Sequence, residues 1–531
     1  MNTNEIQELK MIVSYDDPLG PSNAENLIDS PNAGRRLFER QNEIYGSLLQ
    51  RSGIIVGRRG SGKTAFLNQL KLSSDNSVAQ LSAPLVFPEI LQTITMLFKE
   101  SHGFVEVIAE LWDILIWSSV FLILLQGTRD ARRRPIRDYA NRLGFSEHSS
   151  SAEVMMKTLD RLADFAGQTG ATYSSRLRLI AALKINGVSF DDAYTAAKDL
   201  IQSERRNGDQ QILVLMDTLE NYQLNREEAA LAIKGLIRFL GRSGANRKYF
   251  QVRFALPSEL YAVFRAESEN PDKDLAGQTL LSWRAGDLWR VAAHRLFINL
   301  ELYEASRKEL LEKRFDINDR GGAIAVFGEF LPQTITNRLG RQEPTLAYIL
   351  RHTQLLPRHL IQILNAILRH AMDGDGHIGQ ITNDMVLSGV WDSEQNICDG
   401  IEAAYKHKYP HFSDVCVNAL PQLPKHCTEG DIHSVYNRHV SGVIKRLRDE
   451  GNDVSMDFHA FKTMLIETGV IGKKIDETEI FVESLYEYSR PGSLITSVDD
   501  KFCVHPLFSS LYPRPPSQPA PKLVYPYGID P

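Results

Sequence analysis

The residues best suited to chemistry are Gly57-Arg58-Arg59-Gly60-Ser61-Gly62-Lys63-Thr64, which satisfy G-x-x-x-x-G-K-[ST] without a mismatch. Each residue type has a task in phosphate chemistry. Glycines let the backbone curl so that successive N–H groups converge on phosphate oxygens. Lys63 places a point charge against β- and γ-phosphates, and Thr64 offers a hydroxyl to Mg²⁺. The run Gly53-Ile54-Ile55-Val56 before the loop reads as a buried strand. The stretch KTAFLNQLKL after it reads as a helix whose positive dipole end lies beneath the phosphates. A chance glycine-rich turn would lack this strand–loop–helix frame.

Such a loop needs a carboxylate at the end of a neighbouring strand to hold the magnesium shell. Asp217 directly follows the apolar run ILVLM and is the candidate, with Thr64, for the metal. The alternative is an ordinary strand-ending Asp in a turn. Hydrolysis also needs a group that orients or deprotonates water. Glu220, in DTLEN, is the nearest acid after Asp217. It stands equally as a salt-bridging residue at the start of the next helix. The expected ligands are ATP and Mg²⁺.

The chain must also build the frame that positions these groups. Its 531 residues exceed one core, so two or three domains are expected. Residues 1–35, rich in Asp, Asn, Pro and Gly, read as an extended N-terminal segment. Residues 36–285 read as an α/β nucleotide-binding domain. Strands at QILVLM and YFQVRFAL are separated by a helix, which predicts a parallel sheet wrapped by helices. Residues 88–205 are read as a helical insertion, and 286–394 as an all-helical lid. In 395–511, helices precede two β-rich segments, EIFVESLYEY and KFCVHPLF, predicted to form a hairpin and so a winged-helix outline. Residues 512–531 are proline-rich and read as an extended arm rather than core.

This combination resembles the AAA-related P-loop ATPases of the STAND and origin-recognition branch. The stretches GRRGSGKTAFL, DTLENY, VRFALPSELY and LLPRHLIQILNAI are similar to a group of bacterial ATPases of that branch. The resemblance implies a role for Arg358, after Pro357, as the sensor 2 residue that reports nucleotide state to the lid. A plain helix-start proline with an exposed arginine is the other reading. Ser258 falls near the sensor 1 position, or is an N-cap. Many relatives carry Glu immediately after the strand-ending Asp; this chain has Thr218 there. No arginine finger is assigned, although Arg284, Arg290 and Arg295 lie on one helical stretch.

The resemblance implies an ATP-driven switch or assembly ATPase working as a homo-oligomer or with a partner effector protein. Bacterial members outside housekeeping families often serve in anti-phage defence. A DNA-associated ATPase binding duplex through the winged helix is the alternative, and a scaffold that binds nucleotide without turnover a third.

The remaining composition narrows the partners. A formal net charge of -6 argues against coating nucleic acid through a global positive field. Two local basic features stay open as nucleic-acid contacts or solvated faces. One is Arg129, Arg132, Arg133, Arg134 and Arg137; the other is Arg438, Lys445, Arg446 and Arg448. The four cysteines form no C-x-x-C pair and suit a reducing cytoplasm, the expected location. His407, His411 and Cys416 lack a fourth ligand at zinc spacing. The run Ile114 to Leu125 is shorter than the ~20 residues of a membrane span and reads as a helix buried on all sides, so no membrane is expected. The N-terminus lacks the pattern of a signal peptide.

Overall fold

A computed structural model of the chain describes residues 3–27, 30–38, 53–73, 78–82, 105–127, 133–151, 153–158, 160, 192–204, 212–217, 227–242, 249–259, 261, 265, 268, 278–406, 408–452, 454–489, 494–513 and 522–529. The chain divides into two compact units. A sheet unit comprises Glu43–Gly57 and Lys63–Leu281; a helical unit comprises Met1–Asn42, Arg58–Gly62 and Ser282–Pro531.

The sheet unit holds five parallel strands, β1 (Ile54–Gly57), β2 (Val78–Ser82), β3 (Ile212–Asp217), β4 (Phe250–Pro257) and β5 (Gln278–Leu281), in the order β2-β3-β4-β1-β5. Ile54 pairs with Phe254, and Met216 pairs with the same Phe254 on the other side of β4. The period of two along each strand sorts the faces. Ile54, Val56, Val214, Met216, Phe254 and Leu256 share one core with the helices Val105–Gly127 and Glu227–Arg242. Ile55, Leu215 and Ala255 are buried as well. Strands covered on both faces tend to be apolar throughout, as Ile54–Val56 and Ile212–Met216 are; β4 departs from this with Gln251 and the buried Arg253, which donates to Gln251 Oε1 at 2.7 Å.

The helix Val105–Gly127 carries the most apolar sequence. Its stretch Ile108–Gln126 is long and apolar enough to cross a bilayer by length and composition, but 83% of its apolar window is buried inside the protein. Trp112 donates to the Ala232 carbonyl at 3.0 Å, which seats this helix on Glu227–Arg242. The expected buried helix is therefore observed.

The helical unit is built around the helices Ala285–Tyr303, Pro357–Ala371 and Asn383–Tyr405, which share one core. The strands β6 (Thr334–Thr336) and β7 (Gln342–Pro344) form an antiparallel pair inside the stretch expected to be wholly helical. A second sheet runs β12-β10-β9-β11-β8, with β8 (His426–Thr428), β9 (Ile471–Glu477), β10 (Phe481–Leu485), β11 (Lys501–Val504) and β12 (Leu523–Pro526). It packs with the helices Glu429–Val435, Ser441–Asp449 and Phe458–Glu467; a π turn, Tyr436–Val440, joins the first two.

Three expectations are corrected here. The segments EIFVESLYEY and KFCVHPLF do not pair with each other, because β9 lies between them and pairs antiparallel with both β10 and β11. IGKKIDE is too polar to announce β9 by hydropathy. The C-terminal segment is not an extended arm throughout. Leu523–Pro526 is buried and pairs parallel with β10, and Tyr525 donates at 2.6 Å to the buried Glu343.

The N-terminal segment is not simply extended either. It holds helices Thr3–Ile12 and Pro31–Leu37, with Leu9, Val13 and Leu19 fully buried. Between them, backbone groups of 13–21 are gripped by side chains of the helices Ala285–Tyr303 and Pro357–Ala371. Asn365 accepts from the Leu19 N–H at 2.7 Å and donates to the Gly20 carbonyl at 2.9 Å. Asn299, Arg295 and Tyr303 donate to the carbonyls of Pro18, Pro21 and Val13. Proline and glycine suit this strap because its hydrogen bonds come from side chains, not from a regular ladder.

Candidate functional site

Within the sheet unit, β1 ends at Gly57 and a helix, Lys63–Ser73, begins six residues later. Phe66, Leu67 and Leu70 bury one face of this helix, which packs against β3 and β4. That packing fixes Lys63, which is 3% exposed, and Thr64 at the helix N-terminus. Asp217 is the last residue of β3, the first half-exposed position after five buried ones. Thr64 Oγ1 lies 3.4 Å from Asp217 Oδ1, so one strand end and one helix start meet with two side-chain oxygens side by side. The strand order accounts for the approach: β4 alone separates β1 from β3. Parallel strands bring their carboxyl ends to one edge of a sheet, where open α/β folds take ligands.

The crown of the loop, Arg58–Gly62, packs within the helical unit. Gly60 and Gly62 have φ of 85° and 96°, the left-handed region that other residues disfavour. The Ser61 N–H donates to the Arg58 carbonyl at 3.0 Å and closes the turn. Trp283 Nε1 donates to the Ser61 carbonyl at 2.9 Å, and the Arg358 N–H reaches the Gly60 carbonyl at 3.4 Å. Arg358, the expected sensor, thus lies against the crown, and its Nη2 donates to Asn23 Oδ1 at 3.2 Å. A Cβ on Gly60 would come within 3.1 Å of Arg358 Cβ, a tight contact that adds to the preference for glycine set by its φ.

Arg58 is 6% exposed. Its Nη2 donates to Gln354 Oε1 at 2.6 Å, and its guanidinium lies 5.2 Å from the centre of the Tyr488 ring. Gln354 is itself held at both ends. Its Nε2 donates to the Thr468 carbonyl at 2.9 Å, and its backbone N–H donates to His359 Nδ1 at 3.2 Å. Burial, with the charges of Arg58 and Arg358, pushes the His359 pKa down to about 3, so the ring is neutral and Nδ1 is free to accept. Tyr488 meets His505 at 2.9 Å, and burial keeps that histidine far below its ordinary range as well. Gln354, Tyr488, Thr468 and Asn23 escaped the sequence reading. The first and last carry no motif, and only adjacency to LLPRHL pointed toward Gln354.

The other candidates are more dispersed. Ser258 follows β4 and meets Glu259 at 3.4 Å. Glu220 and Thr218 lie outside the described residues, as do Arg129 and Arg132. Arg133 donates to the Leu124 carbonyl, and Arg134 lies 3.8 Å from Asp138. Arg290 lies 3.9 Å from Asp287, and Arg295 is turned inward to the N-terminal strap, its pKa lowered by burial to about 10. Arg284 is exposed at a helix N-terminus. Arg438, Lys445, Arg446 and Arg448 are all exposed; Arg446 lies 3.9 Å from Glu450, and Arg448 donates to the Val454 carbonyl at 2.6 Å.

No family model matches the chain. No curated protein matches it. Two solved structures of the Aeropyrum pernix ORC2 protein are similar at 12% identity. That of its ADPNP-ADP complexes covers 92% of this chain and 92% of that chain with a TM-score of 0.36. That of its ADP form covers 88% and 89% with a TM-score of 0.30. At these values the likeness carries no argument about this chain.

Proposed function

We propose that the chain binds ATP with Mg²⁺ on the loop Gly57–Thr64 and hydrolyses it, acting as a nucleotide-dependent switch or assembly ATPase. The observation that carries this reading is the 3.4 Å separation of Thr64 Oγ1 and Asp217 Oδ1. Two hard oxygen ligands at that spacing suit a small octahedral cation, whose adjacent ligands stand roughly 3 Å apart. Thr64 and Asp217 would hold it, and it would neutralise charge developing on the transferred phosphoryl group. Lys63 would hold the β- and γ-phosphates, and backbone N–H groups of the glycine-rich crown would donate to them. Arg358, lying against the Gly60 carbonyl, suits a residue that reports the state of the loop to the helix Pro357–Ala371.

Glu220 is proposed to orient the attacking water. The Glu220→Gln protein should bind ATP and fail in single-turnover hydrolysis; a rate within a few-fold of wild type would remove it from the mechanism. The direct test of the whole reading is Mg²⁺-dependent ATP hydrolysis by the wild-type chain and its Asp217→Ala variant. Turnover in the first and none in the second supports it; equal turnover overturns the metal assignment.

A second reading, contact with duplex DNA, draws on the exposed side chains of Arg438, Lys445 and Arg446 on the helical stretch Tyr436–Asp449. It requires a DNA affinity that falls steeply with salt, roughly 0.9 log units per phosphate contact for each log unit of salt. A flat salt response would exclude it.

A further inference from the structure

We propose that Arg58 is a positioning residue that couples nucleotide retention in the phosphate loop to the turn between the helix Phe458–Glu467 and β9, through Gln354 and Tyr488. The inference rests on the ATP reading and extends it to regulation of the same loop.

The loop pattern leaves position 58 free, since only its glycines, lysine and hydroxyl are specified. An arginine there is costly to bury unless its planar donors are matched. Here it is buried with one amino group satisfied: Gln354 Oε1 accepts from Nη2 at 2.6 Å, and the Tyr488 ring centre lies 5.2 Å from the guanidinium. Gln354 is a connector, because its other end donates to the Thr468 carbonyl at 2.9 Å. Its backbone is held in place by an unusual neighbour. Leu355 has a φ of 50°, which L side chains disfavour, and it is the one non-glycine residue with positive φ among those described.

Both groups that hold Arg58 also lean on one glycine. Gly469 has a φ of 74°, and a Cβ there would lie 2.8 Å from Gln354 Nε2 and 2.8 Å from a Tyr488 ring carbon. A shift of Thr468 or Gly469 therefore reaches Arg58 along two routes. With Arg58 held, the carbonyl that anchors the Ser61 N–H is fixed, and with it the curl of the crown. With Arg58 released, the crown loosens and the phosphates lose preorganised N–H donors. The turn after the helix Phe458–Glu467 thus sets how long a nucleotide stays.

The test is the release rate of a fluorescent ADP, mant-ADP, from the full-length chain by stopped flow, with the thermal midpoint measured in parallel. Gln354→Ala, Gly469→Ala and Arg58→Lys should each speed release at least tenfold, and Arg58→Lys with Gln354→Ala should be no faster than the faster single variant. Arg58→Lys keeps the charge but loses the planar fork and the stacked ring contact. If charge against a phosphate were its whole role, that variant would release at the wild-type rate, and the inference would be overturned. Wild-type release rates in Gln354→Ala and Gly469→Ala would overturn it too, as would multiplying effects in the double variant. Failure of the wild-type chain to bind mant-ADP would instead overturn the ATP reading and this inference with it.

Discussion

Thr64 Oγ1 and Asp217 Oδ1 stand 3.4 Å apart although 153 residues of chain separate them. Nothing local holds them together; the pairing of β3, β4 and β1 does. Asp217→Ala should therefore leave nucleotide binding within about tenfold of wild type while removing most Mg²⁺-dependent turnover. Titrating Mg²⁺ at fixed ATP checks this. Turnover at the wild-type rate would mean that another acid holds the metal.

The crown glycines are required by geometry. Gly62→Ala places a side chain at a φ of 96°, at a cost of about 1–2 kcal/mol, and should weaken nucleotide binding in proportion. Gly60→Ala adds the 3.1 Å approach to Arg358 and should be the worse of the two. Calorimetric ATP titration of both variants tests the ranking; equal and wild-type-like affinity would contradict it.

A buried charge network ties the C-terminal strand β12 to β7 and the helix Thr345–Arg351. Glu343 accepts from Arg351 at 2.8 and 2.9 Å, from Asn337 at 2.6 Å and from Tyr525 at 2.6 Å. Burial pushes the Glu343 pKa up, but Arg351 and these hydrogen bonds hold it net below its ordinary value. Its folded pKa is thus below its unfolded one, so its stabilisation is present above the unfolded pKa and lost as pH falls through the folded value. Arg351→Met should cost about 3–5 kcal/mol by leaving a buried carboxylate unpaired. Tyr525→Phe should cost about 1–2 kcal/mol. Chemical denaturation of the two variants gives both figures, and a silent Arg351→Met would refute the network.

Acid should act on the crown's supports by a different route. His359 has a folded pKa of about 3 against an ordinary 6.5, so below pH 6.5 the unfolded chain takes up a proton that the folded chain refuses. Stability then falls toward pH 3 by up to about 1.4 kcal/mol per pH unit from this group. Glu343 adds to the loss only in the acid part of that window. His359→Gln, which keeps an acceptor for the Gln354 N–H, should reduce the slope between pH 6.5 and 5 by up to about 1.4 kcal/mol per pH unit, leaving the part due to the buried His505 and His352. An unchanged slope would place the acid sensitivity elsewhere.

The sequence made some of this legible and hid the rest for physical reasons. The loop and the strands around Ile54 and Leu213 carry their own signals, because the loop matches a motif with specified residue types and strands buried on both faces are apolar. Arg358 enters the sequence reading through the resemblance alone; its contact with the Gly60 carbonyl is visible only in the structure. The partners of Arg58 were not legible: Gln354, Tyr488 and Thr468 meet only through long-range packing, and a glutamine that bridges two elements looks like any other. The strands β9 and β12 were missed because one is polar and the other hides in a proline-rich stretch. The N-terminal strap was read as extended because its hydrogen bonds come from Asn365, Asn299 and Arg295, far away in the chain.

The central claim is that Lys63, at the start of its helix, holds the phosphates of ATP. Replacing it by Ala removes that charge while the crown and its glycines remain. Equilibrium ATP binding to folded Lys63→Ala, compared with wild type, tests the claim most directly. The expected result is a loss of tenfold or more, about 1.4 kcal/mol for each order of magnitude. Unchanged affinity in a folded Lys63→Ala protein would contradict it.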